Sequence, residues 1–309
     1  MNEGRLFVNS SPHLKSMRTT RGIMFDVIIA LIPAVIFSIY FFSFMAALIV
    51  VVSAATAVVF EFLYNLLAKK KQTVGNLSAV VTGILLALNL PPVKSSLWIA
   101  AVGTFVAIVI VKMLFGGIGK NIFNPAIAAR VFLTVSFAGQ MTDWVAPGAD
   151  AISTATPLAL IQNGTITGYL DLFLGNIGGS LGETSALALL IGLIWLLSRK
   201  VITWHIPVSF VGTVALLSFV MGHDPLFHVL SGGLLLGAIF MATDYVSSPT
   251  TWIGKLIFGF GCGLITIMIR LFGNLPEGVS FSILFMNALV PLIDRYTVPK
   301  SFGEVKANA

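Results

Sequence analysis

The strongest constraint on this chain is an apolar block that begins at Ile23, "IMFDVIIALIPAVIFSIYFF", and recurs in variant form to the C-terminal region. A helix rises about 1.5 Å per residue, so roughly 20 such residues cross a hydrocarbon core about 30 Å thick. Alternating segments of about ten residues would instead indicate a barrel. Only 10% of the 309 residues are charged and 57% are hydrophobic, whereas soluble domains carry about 25% charged residues. A fold in water would lack the polar residues to cover its surface. The chain is therefore read as an all-α integral membrane protein.

Ten spans are expected, beginning near Ile23, Phe44, Asn76, Ser96, Asn124, Glu183, Thr203, Pro225, Trp252 and Val279. The third, "GNLSAVVTGILLALNL", is short, rich in small residues and stopped by "PP". The first follows a polar start and has no cleavage-site pattern, so it is read as a helix. Lys and Arg mark the cytoplasmic side of membrane proteins. They collect in alternate connections: Arg5, Lys15, Arg18 and Arg21; Lys69 to Lys71; Lys112 and Lys120; Arg199 and Lys200; Lys255; then Arg295, Lys300 and Lys306. The opposite set holds Lys94, with Arg270 at its edge. Both termini are thus expected inside and residues 139–183 outside. The organisation follows: a cytoplasmic segment 1–22, a first membrane half 23–138, an extracytoplasmic loop 139–183, a second half 184–298 and a tail 299–309. The net charge of +6 is this topology signal, not a nucleic-acid-binding face.

The halves echo one another. "TGILLALNLPP" and "VKMLFGGIGKNIFNPA" return as "LGAIFMATDYVSSP" and "IRLFGNLPEGVSFSILFMNALVP". Gly83 pairs with Gly237, Lys112 with Arg270, and Phe115-Gly116 with Phe272-Gly273. In the expected topology the third span runs outward and the eighth inward, giving a 5+5 inverted repeat of the kind common in transporters. A repeat specifies architecture and not activity, so scaffold and translocation pathway both remain open.

The outside loop carries "DAISTATPL", Asp150 to Leu158. Thr156 before Pro157 reads as an N-cap and first helical residue. The same threonine, with small Ala151 and Ala155 around it, is also expected to be an exposed hydroxyl that a modifying enzyme can esterify. A phosphate there would meet free N–H groups at a helix start.

Asp150-x-x-Ser153-x-Ala155-Thr156 matches the Asp-x-x-(Ser/Thr)-x-Ala-Thr pattern on which flavin transferases attach FMN to threonine. With "SPHLKSMRTTRGIMFDVIIALIPA", "GGIGKNIFNPA", "GAIFMATDYVSSP" and "FSILFMNALVPLID", nearly the whole chain resembles the RnfD/NqrB family, membrane subunits of Rnf and Na⁺-pumping NADH:quinone oxidoreductase complexes. Its length and short N-terminus look like the RnfD branch. The resemblance implies a urea-transporter-like fold, FMN held on Thr156 by a phosphoester, and a complex coupling ferredoxin:NAD⁺ electron transfer to Na⁺ or H⁺ movement. It implies other Rnf subunits, a flavin transferase and membrane lipid as partners, and no nucleic acid. It also implies a bacterial cytoplasmic membrane location. Thr154 stands where the pattern usually has Gly and is a minor rival for attachment. Riboflavin is associated with the family near the cytoplasmic half of the helices, without ligands that map onto this sequence. The competing class is an inverted-repeat solute channel without a redox cofactor, in which Thr156 is only a cap.

Ionisable residues inside spans are functional candidates, because a charge in lipid is costly. Arg130 and Asp244 stand out, with Asp26, Glu61 and Asp294 beside them. For Arg130 a structural ion pair is the simpler account and a flavin or ion contact the alternative. Asp244 reads equally as a cap of a broken helix or as a ligand acceptor. Cys262, the one cysteine, reads as a small buried hydrophobe, with a cluster shared between subunits as its alternative. "GGIGKN" lacks the Walker A spacing, having Leu114 and Asn121 where Gly and Ser or Thr are needed. His223 and His228 read as turn and interface residues, Asn163-Gly-Thr is a sequon by letters only, and no metal site is expected.

Overall fold

The computed structural model describes residues 18–148, 154–162, 167–273 and 277–299. Among them every regular element is helical. Helix α1, Thr20–Leu67, starts where the Thr19 side chain accepts from the Gly22 N–H. A straight helix of 48 residues would be about 72 Å long, more than twice a hydrocarbon core. It breaks at Ser43, which holds φ 58° and ψ −155°. The two parts coincide with the first two expected spans, near Ile23 and Phe44.

Helix α2, Ser78–Leu88, has 11 residues, about 16 Å and roughly half a membrane. Nearly all of its side chains are buried, and a helix ending inside protein must have its last carbonyls satisfied. Backbone N–H groups of Leu181 and Gly182 reach Leu90 O and Leu88 O at 3.1 and 2.7 Å, and Asn89 Nδ2 donates to Leu85 O at 2.6 Å. At Gly83 a Cβ would stand 2.7 Å from Ser53 O. Glycine thus lets α2 meet α1 backbone to backbone, and the Ser53 hydroxyl donates to Gly83 O at 2.7 Å.

Helix α3, Ser96–Phe105, runs on into a π-wound stretch, Val106–Met113. Helix α4, Pro125–Ser136, is capped by Asn124, whose side chain accepts from the N–H groups of Ala126 and Ile127. The segment expected as the outside loop contains short helices among its described residues: α5 (Ala138–Met141), α6 (Pro157–Gln162) and α7 (Tyr169–Leu174). Then come α8 (Ala186–Ser198) and α9 (His205–Val220). The span expected from Pro225 is not one helix. Helix α10, Pro225–Leu230, ends before Ser231-Gly232-Gly233, and α11, Leu234–Leu236, continues as a π-wound Gly237–Met241. The positive φ of 66° at Gly232 ends the first piece, a conformation glycine adopts freely. Helices α12, Trp252–Phe272, and α13, Val279–Thr297, complete the chain.

Helix α1, the combined Ser96–Met113 helix, α12 and α13 are long and apolar enough to cross a membrane; α2, α4, α8 and α9 are shorter apolar helices. The core runs through the centre of the chain on side chains such as Leu31, Ile49, Leu86, Ile127, Phe210 and Phe258. A small satellite cluster of Leu158, Leu172, Ile177 and Phe227 ties α6 to α7 and α10.

Candidate functional site

Thr156 stands at the start of α6. Its hydroxyl lies 3.4 Å from the Ala159 N–H, and its carbonyl accepts from Ala159 and Leu160 at 2.9 Å, so the cap reading holds. The exposed hydroxyl expected from the sequence is not found: Thr156 is only 5% exposed. Leu158 draws the segment inward by packing into the satellite cluster, and the Thr154 N–H is fixed on Trp144 O at 2.9 Å. Ala155 is half-buried, and Asp150 and Ser153 lie outside the described residues. On the neighbouring rim Asp224 caps α10 and accepts a hydrogen bond from the Tyr169 hydroxyl. Burial works to raise the Asp224 pKa, but the bonds from Tyr169 and from the Phe227 and Leu226 N–H groups outweigh it, leaving it below the ordinary value.

Arg130 lies at the centre of a buried ionic cluster. Its Nη1 donates to Asn89 O at 3.1 Å and also to the Asn89 side-chain oxygen. The same nitrogen sits 2.6 Å from Glu183 Oε1, and Nη2 donates to Glu277. The planar guanidinium suits this fork of acceptors in a way a lysine would not. Arg270 lies beside the group, its guanidinium donating to the His228 and Ser231 carbonyls at 2.5 and 3.0 Å. Those are carbonyls freed where α10 breaks. The expectation of a turn residue at His228 is corrected: the side chain is buried, with its ring edge-on to His223 and Phe227. A Cβ at Gly232 would stand 2.8 Å from Leu158 Cδ1, 3.1 Å from Arg270 Nη2 and 3.7 Å from Glu277 Oε1. The Thr156 segment and the ionic cluster therefore meet across one glycine.

The second feature is a cavity of about 420 Å³ lined by both halves of the chain. Val81, Leu85, Val27 and Phe240 supply apolar walls, and Ser78, Lys112, Asn121, Asn124, Thr243 and Asp244 supply polar groups. That volume falls within the range of small-molecule sites, which are mostly apolar with a few placed polar groups. Lys112, expected in an inside connection, is in fact buried on the π-wound end of α3. Its Nζ donates to Glu61 Oε2 at 2.7 Å and to Ser78 Oγ at 2.6 Å, and the Thr73 hydroxyl donates to the other Glu61 oxygen at 2.6 Å. Asp244 accepts from Ser247 Oγ at 2.9 Å.

Arg130 and Asp244 are not brought together. Between them run Asn89, whose Nδ2 lies 3.7 Å from Met241 Sδ, and Asn124, whose Nδ2 donates to Met241 O at 3.0 Å. The other intramembrane acids serve as ties. Asp26 pairs with Arg199 at 3.2 Å, and Asp294 accepts from Thr250 N at 3.1 Å. Cys262 is buried among apolar residues. No group of three metal-ligating side chains exists among the described residues.

A sequence model described as the NQR2, RnfD, RnfE family matches residues 7–303. The chain belongs to this family. Within the NQR2, RnfD, RnfE family it is 48% identical over 312 residues to the D-subunit of the Na(+)-translocating ferredoxin:NAD(+) oxidoreductase complex of Acetobacterium woodii, covering 99% of this chain and 98% of that one. It is 41% identical to the D-subunit of the proton-translocating ferredoxin:NAD(+) oxidoreductase complex of Clostridium ljungdahlii, covering 96% of each. It is 42% identical to the D-subunit of the ion-translocating oxidoreductase complex of Stutzerimonas stutzeri, covering 91% of each. Family membership was legible in the motifs. Glu183 and Glu277, the acids that hold Arg130, were not singled out, because no local pattern marks a partner 53 or 147 positions away.

Proposed function

We propose that this chain is the RnfD-type membrane component of a complex that couples ferredoxin:NAD⁺ electron transfer to Na⁺ or H⁺ translocation, and that it carries FMN on Thr156 through a phosphoester. The observation that carries the reading is the Asp150-x-x-Ser153-x-Ala155-Thr156 string in a chain similar, nearly end to end, to the corresponding components of such complexes. The chain has one cysteine and therefore cannot by itself supply four thiolates to an iron–sulfur cluster. It works as one subunit among membrane and peripheral partners, after maturation by a flavin transferase. The flavin supplies the electron chemistry, while the protein contributes position, dielectric and access. Because Thr156 is buried, the transferase must act on the chain with residues 154–162 displaced. Their small apolar anchor of Leu158, Leu172, Ile177 and Phe227 is consistent with a segment that opens locally at modest cost.

The location proposed is a bacterial cytoplasmic membrane, with both termini inside and Thr156 outside, in a ten-helix 5+5 inverted repeat of urea-transporter type. Three features support the repeat: the break of α1 at Ser43, the short α2 matched by the short helical segment formed by α11 and its π-wound continuation to Met241, and the buried Lys112 and Arg270 at corresponding places. The cavity suits a second, non-covalent flavin, riboflavin. Its apolar walls match an isoalloxazine face, and Lys112, Asn121, Asn124 and Asp244 would meet the polar edges.

The test is in-gel flavin fluorescence of the denatured chain, co-expressed with its transferase. A fluorescent wild-type band that goes dark in Thr156→Ala supports the reading. A dark wild-type band overturns it and leaves the solute-channel alternative ahead.

A further inference from the structure

The turn between α8 and α9, residues 199–204, gathers cations from three separate parts of the chain. Arg199 and Lys200 close α8, and Lys200 takes the left-handed conformation with φ 52°. The Val201 N–H reaches back to Leu196 O at 2.9 Å and fixes this turn. Arg18, just before α1, donates to Lys200 O at 3.2 Å. Lys255, one turn into α12, stands 3.5 Å from the Thr203 hydroxyl. A cation so near a helix N-terminus opposes the helix dipole, so helix stability does not account for Lys255. Asp26 answers one of these charges, 3.2 Å from Arg199. The acceptors of the turn are covered as well, since Lys200 O takes Arg18 and Val201 O takes the Tyr245 hydroxyl. Helix α9 then starts at His205 without a side-chain cap, which adds its positive end to the same place. Trp204 and Trp252 are exposed beside the cations, and exposed Val208, Ile253 and Ile257 follow them along α9 and α12. Tryptophan marks the membrane–water interface. A positive pole therefore borders an apolar surface, as a lipid requires and a soluble anion does not. Lys69 to Lys71, exposed after α1, show what a plain topology flank looks like: one contiguous run.

We propose that the α8–α9 turn is a binding site for the phosphate of an anionic phospholipid. Lys200 and Lys255 supply the principal charges, Arg18 and Arg199 reinforce the field, and Trp204 and Trp252 pack at the level of the glycerol. The inference uses the membrane placement given above and is independent of the flavin. Basic pockets between helices on the cytoplasmic side hold lipid headgroups by this chemistry.

The test is native mass spectrometry of the purified full chain in detergent, titrated with phosphatidylglycerol or with phosphatidylcholine. Each cation near an anionic lipid contributes about fivefold in affinity. Lys200→Gln/Lys255→Gln is therefore expected to weaken the tightest-bound phosphatidylglycerol about tenfold or more, and Lys200→Arg/Lys255→Arg to retain it. The control Lys69→Gln/Lys71→Gln removes the same charge from the same side of the membrane and should leave that lipid in place. Equal weakening in the two Gln double variants, or none in either, overturns the site. A wild-type chain that holds phosphatidylcholine as tightly as phosphatidylglycerol also overturns it, and displacement of the lipid by inorganic phosphate would assign the turn to a free anion instead. Lys200→Gln alone changes one exposed side chain and is expected to cost about fivefold, so it decides the matter should the double variant fail to fold.

Discussion

Arg130→Met is the substitution whose cost the structure specifies best. In the native chain one guanidinium donates to three acceptors, Asn89 O at 3.1 Å, the Asn89 side-chain oxygen and a Glu277 oxygen, and forms an ion pair with Glu183 Oε1 at 2.6 Å. The Arg130 and Glu183 side chains are 6% and 3% exposed and that of Glu277 is 17% exposed, so water replaces little of what is lost. Breaking one buried pair by removing a partner costs about 3–5 kcal/mol. Here two carboxylates lose their shared cation, and the carbonyl at the end of α2 loses its donor. The upper part of that range is expected, a large share of the ~5–15 kcal/mol that holds a typical fold. The assay is denaturant unfolding of the detergent-solubilised chain, run as a cycle with Glu183→Gln. If the charges are the cause, neutralising Glu183 relieves part of the damage, and the double variant is about 2 kcal/mol or more better than additive. Arg130→Lys should fall between, since a point ammonium cannot span the fork. An Arg130→Met chain within about 1 kcal/mol of wild type, or strictly additive variants, would refute the description of this cluster as a structural and electrostatic centre.

Two further outcomes follow from backbone geometry. Ser43 holds φ 58° and ψ −155°, a region that costs a side-chain-bearing residue about 1–3 kcal/mol, so Ser43→Gly should raise the unfolding midpoint, whereas an unchanged or lower midpoint would contradict the strain. Gly83→Ala would place a Cβ 2.7 Å from Ser53 O and 2.8 Å from Ala54 Cα, backbone atoms that cannot rotate away; a loss of about 1–3 kcal/mol is expected, and a neutral result would mean that α1 and α2 are not in close backbone contact.

Much of the fold was readable from local signals. The spans expected from near Ser96, Asn124, Trp252 and Val279 all begin as helices there, the second and third capped by Asn124 and Thr251. The "LPP" stop after a short small-residue run foretold the half-length α2. Pro225 began a helix as well, but hydropathy alone did not reveal its end at Ser231-Gly232-Gly233, because apolar residues resume at once. Lys112 was misplaced for a related reason. A charge at the end of an apolar run looks like a boundary, and only the fold shows Glu61 waiting 51 residues earlier to pair with it. Thr156 is singled out by its motif alone. Its burial could not be foreseen, because it depends on packing set up by Leu172, Ile177 and Phe227, distant in sequence.

The most direct test of the central claim is peptide mass spectrometry of this protein, isolated from a complex made together with its flavin transferase. The peptide spanning residues 150–162 is expected to carry one FMN joined with loss of one water, and fragmentation is expected to place it on Thr156 rather than Thr154 or Ser153. The same peptide recovered wholly unmodified from a flavin-replete, active complex would contradict covalent attachment at Thr156.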